Sequence, residues 1–234
     1  MRKPINPHGK WLVIGDITAW YECGTLRYIK LGDEELIRMV YFAARDTTWA
    51  TAKFHLDTEE LKVTNSNTTI YIPGNYKLGD IDFRIDIEIF ISDKNEIKFS
   101  YKGECISDFM KNRLGLCVLH PIKSSSNANC VTNNLENKKF PKFIEPHQPF
   151  VKISEMEWKT PKGNLCKLKF EGDIFETEDQ RNWMDASFKT YSTPLILPFP
   201  VQMRKGEKSA QAIDFKFKSL NVNKLSPNEM VNIA

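Results

Sequence analysis

The sequence predicts an all-β protein, a large antiparallel β-sandwich, and three observations carry that prediction. Hydrophobicity alternates with a period of two along most of the chain, turn-forming residues punctuate the apolar runs at hairpin spacing, and helical periodicity is confined to one short segment. The cleanest alternation is DIDFRIDIEIFISD. Ile81, Phe83, Ile85, Ile87, Ile89 and Ile91 fall on one parity, while Asp82, Arg84, Asp86 and Glu88 fall on the other. Such a run is a half-buried antiparallel strand with one face on the core and one in water.

The other elements follow in chain order. LVIGDITAWYE, TLRYIKL and IRMVYFAAR read as strands separated by Gly24 and Gly32-Asp33. GDEELIRMV looks briefly helical at the start of the third. ELKVTNS and TTIYIPG follow, with turn chemistry at Asn65 to Asn67 and at Pro73-Gly74-Asn75. Beyond the isoleucine strand, Ser92 to Asn95 supplies a hairpin turn into NEIKFSYKGE, where Ile97, Phe99 and Tyr101 repeat the pattern. LGLCVLHPI, PFVKISEMEWKT, LCKLKFEGD and AIDFKFKSL complete about ten strands at hairpin spacing, the count expected of a sandwich. SSSNAN reads as a loop. One β-sandwich domain is expected over residues 1–220, with 221–234 as a tail or connector that loses periodicity.

Composition excludes several classes. The chain has 234 residues, 41% hydrophobic and 27% charged, with a net charge of +3 from 33 basic and 30 acidic residues. That balance argues against nucleic acid as a partner, which calls for a clustered basic stripe. Lys138, Lys139 and Lys142 read as a wet loop. No run approaches the roughly 18 apolar residues of a membrane helix, and the amino terminus lacks a signal peptide's apolar stretch. Five cysteines, odd in number and without metal-ligand spacing, suggest reduced, mostly buried thiols in a cytoplasmic protein. No metal and no cofactor is expected.

Two segments hold candidate chemistry. In FMKNRLGLCVLHPI, Arg113 enters a strand and His120 closes it. His120 shares parity with Leu116 and Val118, so it is either a core histidine or a general acid or base at the sandwich rim. In KFEGDIFETEDQRNWMDASFKTY, the acids Glu176, Glu178, Asp179 and Asp185 are interleaved with Arg181, Asn182 and Lys189, and with Trp183, Phe188 and Tyr191. Charges alone would be a surface ion-pair network. Aromatics beside carboxylates, amides and guanidinium also suit a carbohydrate site, the rings taking the apolar sugar face and the polar groups the hydroxyls. ARDTTWATAKF, with Arg45, Asp46, Trp49 and Lys53, is a loop that could wall the same pocket. There is no Gly-rich phosphate loop, no GxSxG elbow and no HExxH, so serine-triad and zinc hydrolysis are unsupported.

GTLRYIKLGDEELIRMVYFAARDTTW, SDFMKNRLGLCVLHP, QPFVKI and EGDIFETEDQRNWMDASFKTYSTPLILPFP together resemble the amino-terminal part of the bacterial D-apionate lactonases. The match runs in order from about Gly24 to about Gln211, and the EDQRNW-DAS-KTY block is its most specific part. The resemblance implies opening of a sugar-acid lactone by water in apiose catabolism. It also implies longer relatives with a second, carboxy-terminal region, whereas this chain stops just beyond the sandwich. The NR-G---LHP segment is more faintly similar to galactose-mutarotase-like sandwiches, which bind sugars in a cleft on one sheet and use a His and a Glu.

Lactone hydrolysis needs a base for water, donors for the oxyanion and an acid for the leaving alkoxide. Expected roles are Glu176 or Asp179 as base, Arg181 and Lys189 as oxyanion donors, and His120 as acid. Asn182 and Asp185 would hold hydroxyls and Trp183 would stack on the ring, with Arg113 and Trp49 also binding substrate. The expected partner is a small sugar or sugar lactone. The alternatives are a non-catalytic carbohydrate-binding module that needs a partner domain, and a mutarotase-type epimerase; association with a partner domain or as a homo-oligomer is admitted as well.

Overall fold

Twenty strands among the described residues, 9–219 except 65, 134 and 135, make up this computed structural model. In chain order they are β1 (Lys10–Ile14), β2 (Ile17–Glu22), β3 (Thr25–Leu31), β4 (Glu34–Arg45), β5 (Lys53–Leu56), β6 (Glu60–Val63) and β7 (Asn67–Leu78). Then come β8 (Ile81–Ser92), β9 (Glu96–Cys105), β10 (Phe109–Lys111), β11 (Arg113–Pro121), β12 (Asn129–Thr132), β13 (Glu136–Lys139), β14 (Phe150–Ile153) and β15 (Glu155–Lys159). The last are β16 (Asn164–Glu171), β17 (Phe175–Asp179), β18 (Ser187–Tyr191), β19 (Val201–Met203) and β20 (Lys208–Ser219).

Two antiparallel sheets face each other. One has eight strands in the order β1-β2-β3-β4-β11-β18-β17-β14. The other has ten, in the order β13-β12-β15-β16-β20-β9-β8-β7-β5, with β6 also on β7. A small ribbon, β10-β19, stands apart. The predicted sandwich is the observed architecture. Ile81, Phe83, Ile85, Ile87, Ile89 and Ile91 are all buried, as their parity requires, and pack in one core with Leu36, Val40, Phe42, Leu116, Val118 and Phe188 from the opposing sheet.

Three local expectations are corrected. GDEELIRMV is not helical: β4 begins at Glu34 and runs unbroken, because Glu34, Leu36, Val40 and Phe42 are drawn into the core and the strand pairs on both sides. Pro73-Gly74-Asn75 is not a turn; β7 passes straight through it. Pro73 falls in the gap between the two edge strands, β6 pairing with 68–71 and β5 with 74–77, where a missing N–H costs no ladder bond. Its carbonyl accepts from Asp57 N at 3.0 Å. The start of SSSNAN joins a single helical turn, α1 (Ile122–Ser125), rather than a loop.

All five cysteines are free, with Cys23 exposed and the other four buried. Among the described residues, no helix is long and apolar enough to cross a membrane. The expected tail, 221–234, lies outside the described residues.

Candidate active site

Strand register assembles the site. On β11, the even residues Leu114, Leu116, Val118 and His120 point into the sandwich, which leaves Arg113 and Cys117 on the outer face of the eight-stranded sheet. β17 and β18 alternate in the same way. Phe175, Thr177, Phe188 and Thr190 face inward, and Glu176, Glu178, Lys189 and Tyr191 face outward. Cross-strand pairing then lines up outer-face rows. One row is Tyr41, Cys117, Tyr191 and Glu176, another is Lys189 opposite Glu178, and a third sets Arg45 opposite Arg113.

A hollow of about 560 Å³ opens over these rows, lined by Arg45, Trp49, Arg113, Glu178, Gln180, Trp183, Lys189 and Leu195. That is room enough for a monosaccharide. A wider groove of about 700 Å³ crosses the outer face of the ten-stranded sheet. Two of its charges are already matched, Lys98 with Asp214 at 3.6 Å and Glu171 with Lys169 at 2.7 Å.

Each wall of the hollow has a local cause. The turn after β4 is tied by Asp46 Oδ1, which accepts from Thr48 N at 2.8 Å and Ala50 N at 2.9 Å. It delivers Trp49, whose carbonyl accepts from Arg45 at 3.2 Å and whose ring meets Phe199 edge-on at 5.4 Å. The opposite wall is a 3₁₀ turn, Gln180–Trp183, capped at its start by Asp179, which accepts from Arg181 N at 3.1 Å. Trp183 stands 73% exposed at the mouth. In the floor, Lys189 Nζ lies 2.5 Å and Gln180 Nε2 2.6 Å from Glu178 Oε1. Glu176 is buried beneath them and accepts from Tyr191 Oη at 2.5 Å and Leu195 N at 2.7 Å. Burial pushes the Tyr191 phenol well up, with Glu178 and the Glu176 hydrogen bond adding to it, so the ring keeps its proton and donates. Gly115 sits where Ser192 and Gln211 close on β11. A Cβ there would meet Ser192 Oγ at 2.1 Å, and the open space lets Gln211 Oε1 accept from Leu116 N at 2.8 Å.

The expected site residues divide. Lys189, Arg113, Trp183 and Trp49 line the hollow. Glu176 shares their face but lies below the floor, engaged by Tyr191 and Leu195. His120 is not at the hollow: it is fully buried on the inner face, with Nε2 2.7 Å from Thr190 Oγ1 and the rings of Trp158 and Phe140 against it. Desolvation drops its pKa to about 3, so it is neutral and cannot serve as the acid there.

Asp179 and Arg181 are also displaced from the expected base and oxyanion roles. Asp179 has the inward parity of Thr177. It binds Arg181 Nη2 at 2.6 Å and accepts from Glu145 N at 3.0 Å. Arg181 spends its remaining donors on the carbonyls of Pro141, Lys142 and Phe143. Asn182, expected to bind a hydroxyl, donates instead to the carbonyls of Glu145 and Asp179. This clamp pins the 141–145 loop and holds the 3₁₀ turn in place. Asp185 is exposed and does not line the hollow.

Glu178 and Gln180 do line the hollow and held no assigned role, and Arg45 lines it from the segment expected to wall it. Alternation inside FETED and SFKTY carried a usable signal for the first of these, since it puts Glu178 with Lys189 and on the opposite face from Asp179. Nothing local signals that Arg45 meets Arg113.

Comparison with known proteins agrees with this architecture. Residues 2–220 match the family described as D-apionate lactonase, N-terminal domain. The D-apionate lactonase of Brucella anthropi is 32% identical over 197 residues, covering 81% of this chain; the chain spans 32% of that protein's length. Among solved structures, a GH36 α-galactosidase from Geobacillus stearothermophilus superposes with a TM-score of 0.59 at 10% identity, over 90% of this chain and 40% of that one. The galactose 1-epimerase of Lactobacillus acidophilus NCFM gives 0.56 at 6% identity, over 93% and 97%. A putative aldose 1-epimerase of Escherichia coli K12 gives 0.54 at 8%, over 91% and 99%. At such identities these structures share the fold, a galactose-mutarotase-like sandwich, and nothing finer.

Proposed function

This chain belongs to the family of D-apionate lactonase amino-terminal domains, and on that premise we propose that it serves the hydrolysis of a sugar lactone, of apionate type, held in the hollow between Trp49 and Trp183. The observation that carries the reading is the convergence of a carboxylate, an ammonium and two guanidinium groups between two indole rings.

The chemistry follows from those groups. The tryptophans take the apolar face of the lactone ring. Glu178 accepts a proton from water as the oxygen of that water attacks the lactone carbonyl. Arg113 and Arg45 stabilise the oxyanion that forms. Collapse of the tetrahedral species breaks the bond to the ring oxygen, and Lys189 Nζ protonates the departing alkoxide. Glu178 then returns its proton to Lys189 across their direct contact, which restores both groups. Water has been added across the ester, and the product acid ionises in solvent. No covalent nucleophile is needed.

The test is proton release from a panel of aldonolactones by the purified chain. Turnover that Glu178→Gln removes supports the reading; equal turnover in that variant ends it. A second reading, a sugar-binding module that works with another domain, is favoured by one observation: two thirds of the Brucella anthropi relative lies beyond the shared region. Binding without turnover would select it. The epimerase reading needs a histidine facing the sugar, and the lining of the hollow contains none.

A further inference from the structure

The two arginines of the hollow are an electrostatic anomaly. Arg45 and Arg113 are direct register partners on adjacent strands, where like charges repel. Arg113 is only 4% exposed, yet among the described residues no carboxylate pairs with it and no acceptor takes a hydrogen bond from it. Its Nε, and that of Arg45, are buried without a partner. What holds the Arg113 guanidinium is aromatic: the Tyr191 ring at 3.8 Å and the Trp49 ring at 5.5 Å. The hollow's lining collects three cations against one carboxylate, and that carboxylate is already engaged by Lys189 and Gln180.

A protein seldom buries a guanidinium with its donors unmet, because a desolvated charge needs a counter-charge. The planar fork of arginine matches a carboxylate, two N–H groups to two oxygens. We propose that the hollow is a carboxylate site, whose preferred ligand is an open-chain sugar acid gripped by Arg113 and Arg45, with its hydroxylated chain between Trp49 and Trp183. This rests on the reading of the same hollow as a sugar site and deepens it. The ring-opened acid, rather than the neutral lactone, is the tightest ligand, so the product of lactone opening inhibits.

Calorimetry on the full chain tests this with sodium erythronate and sodium gluconate against their neutral counterparts, erythritol and glucitol, with inorganic phosphate as a further arm. At least one aldonate is expected to bind ten or more times tighter than its polyol, with affinity falling as salt rises. Arg113→Met should lose at least tenfold for the aldonate and little for the polyol. It should also melt no lower than the parent, since it removes an unpaired buried charge, and an aldonate should raise the melting temperature of the parent only. Arg113→Lys and Arg45→Gln, which keep a polar side chain, guard against misfolding of the methionine variant and should each weaken aldonate binding. Equal affinity for aldonate and polyol, tighter binding of phosphate than of any aldonate, or undiminished aldonate binding in both polar variants would overturn the proposal. Lactone turnover is scored separately. Turnover without aldonate preference removes this proposal and leaves the hydrolase reading; aldonate preference without turnover does the reverse.

Discussion

Lys189 and Glu178 are direct register partners on β18 and β17, and the ammonium stands 2.5 Å from Glu178 Oε1 on the floor of the hollow. Both side chains are largely withdrawn from solvent, so the contact is more than a screened surface pair. On the proposed reading it is where the base and the acid for lactone opening touch.

Glu178→Gln should therefore cut lactone turnover by about 100-fold or more, the usual worth of a positioned proton acceptor. The amide keeps the hydrogen-bonding shape, so circular dichroism should be unchanged. Proton-release assays with parent-like rates would discard the assignment.

Arg181→Ala should act on stability instead. It strips the counter-charge from Asp179, whose side chain is wholly buried, and releases the 141–145 loop. Loss of one partner of a buried pair costs about 3–5 kcal/mol. Urea unfolding should show that drop. A variant as stable as the parent but catalytically dead would restore Arg181 to the chemistry.

Trp183→Ala should do the opposite. The ring is 73% exposed, so the melting temperature should hardly move, while sugar-acid or lactone binding weakens by about tenfold, the worth of roughly 1.4 kcal/mol. Unchanged binding in a titration would take Trp183 out of the site.

Acid should destabilise the fold in two stages. His120 is held neutral, its pKa lowered by burial from 6.5 to about 3, so the unfolded chain binds a proton that the folded chain refuses. Its contribution is present above pH 6.5 and is lost as pH falls toward 3, by at most about 1.4 kcal/mol per unit. Asp179 adds a second stage. Burial raises its carboxyl, but the hydrogen bonds from Arg181 and from Glu145 N outweigh that and hold it below 3.8. Its contribution is present above the ordinary carboxylate range and is lost as pH falls below it. Unfolding free energy measured between pH 7 and 3 should fall in the first stage for the parent but not for His120→Phe. The same titration followed by NMR should find the imidazole neutral throughout that first stage, and protonation near pH 6 would refute the placement.

The sequence by itself determined the fold class and the inward face of each long strand. Ile81 to Ile91 carry a period that only a half-buried sheet satisfies, and burying that apolar parity is a local instruction repeated strand after strand. It also held the clue to His120, which shares parity with Leu116 and Val118. Tertiary structure alone decided which charges share a hollow. EDQRNW runs out of a strand into a 3₁₀ turn, where the two-residue period ends, so a contiguous block splits into the Asp179–Arg181–Asn182 clamp on one side and Gln180 and Trp183 on the other. Arg45 meets Arg113 only because β4 pairs with β11 in one register. That register belongs to two strands far apart in the chain that pack over one core, and no local pattern encodes it.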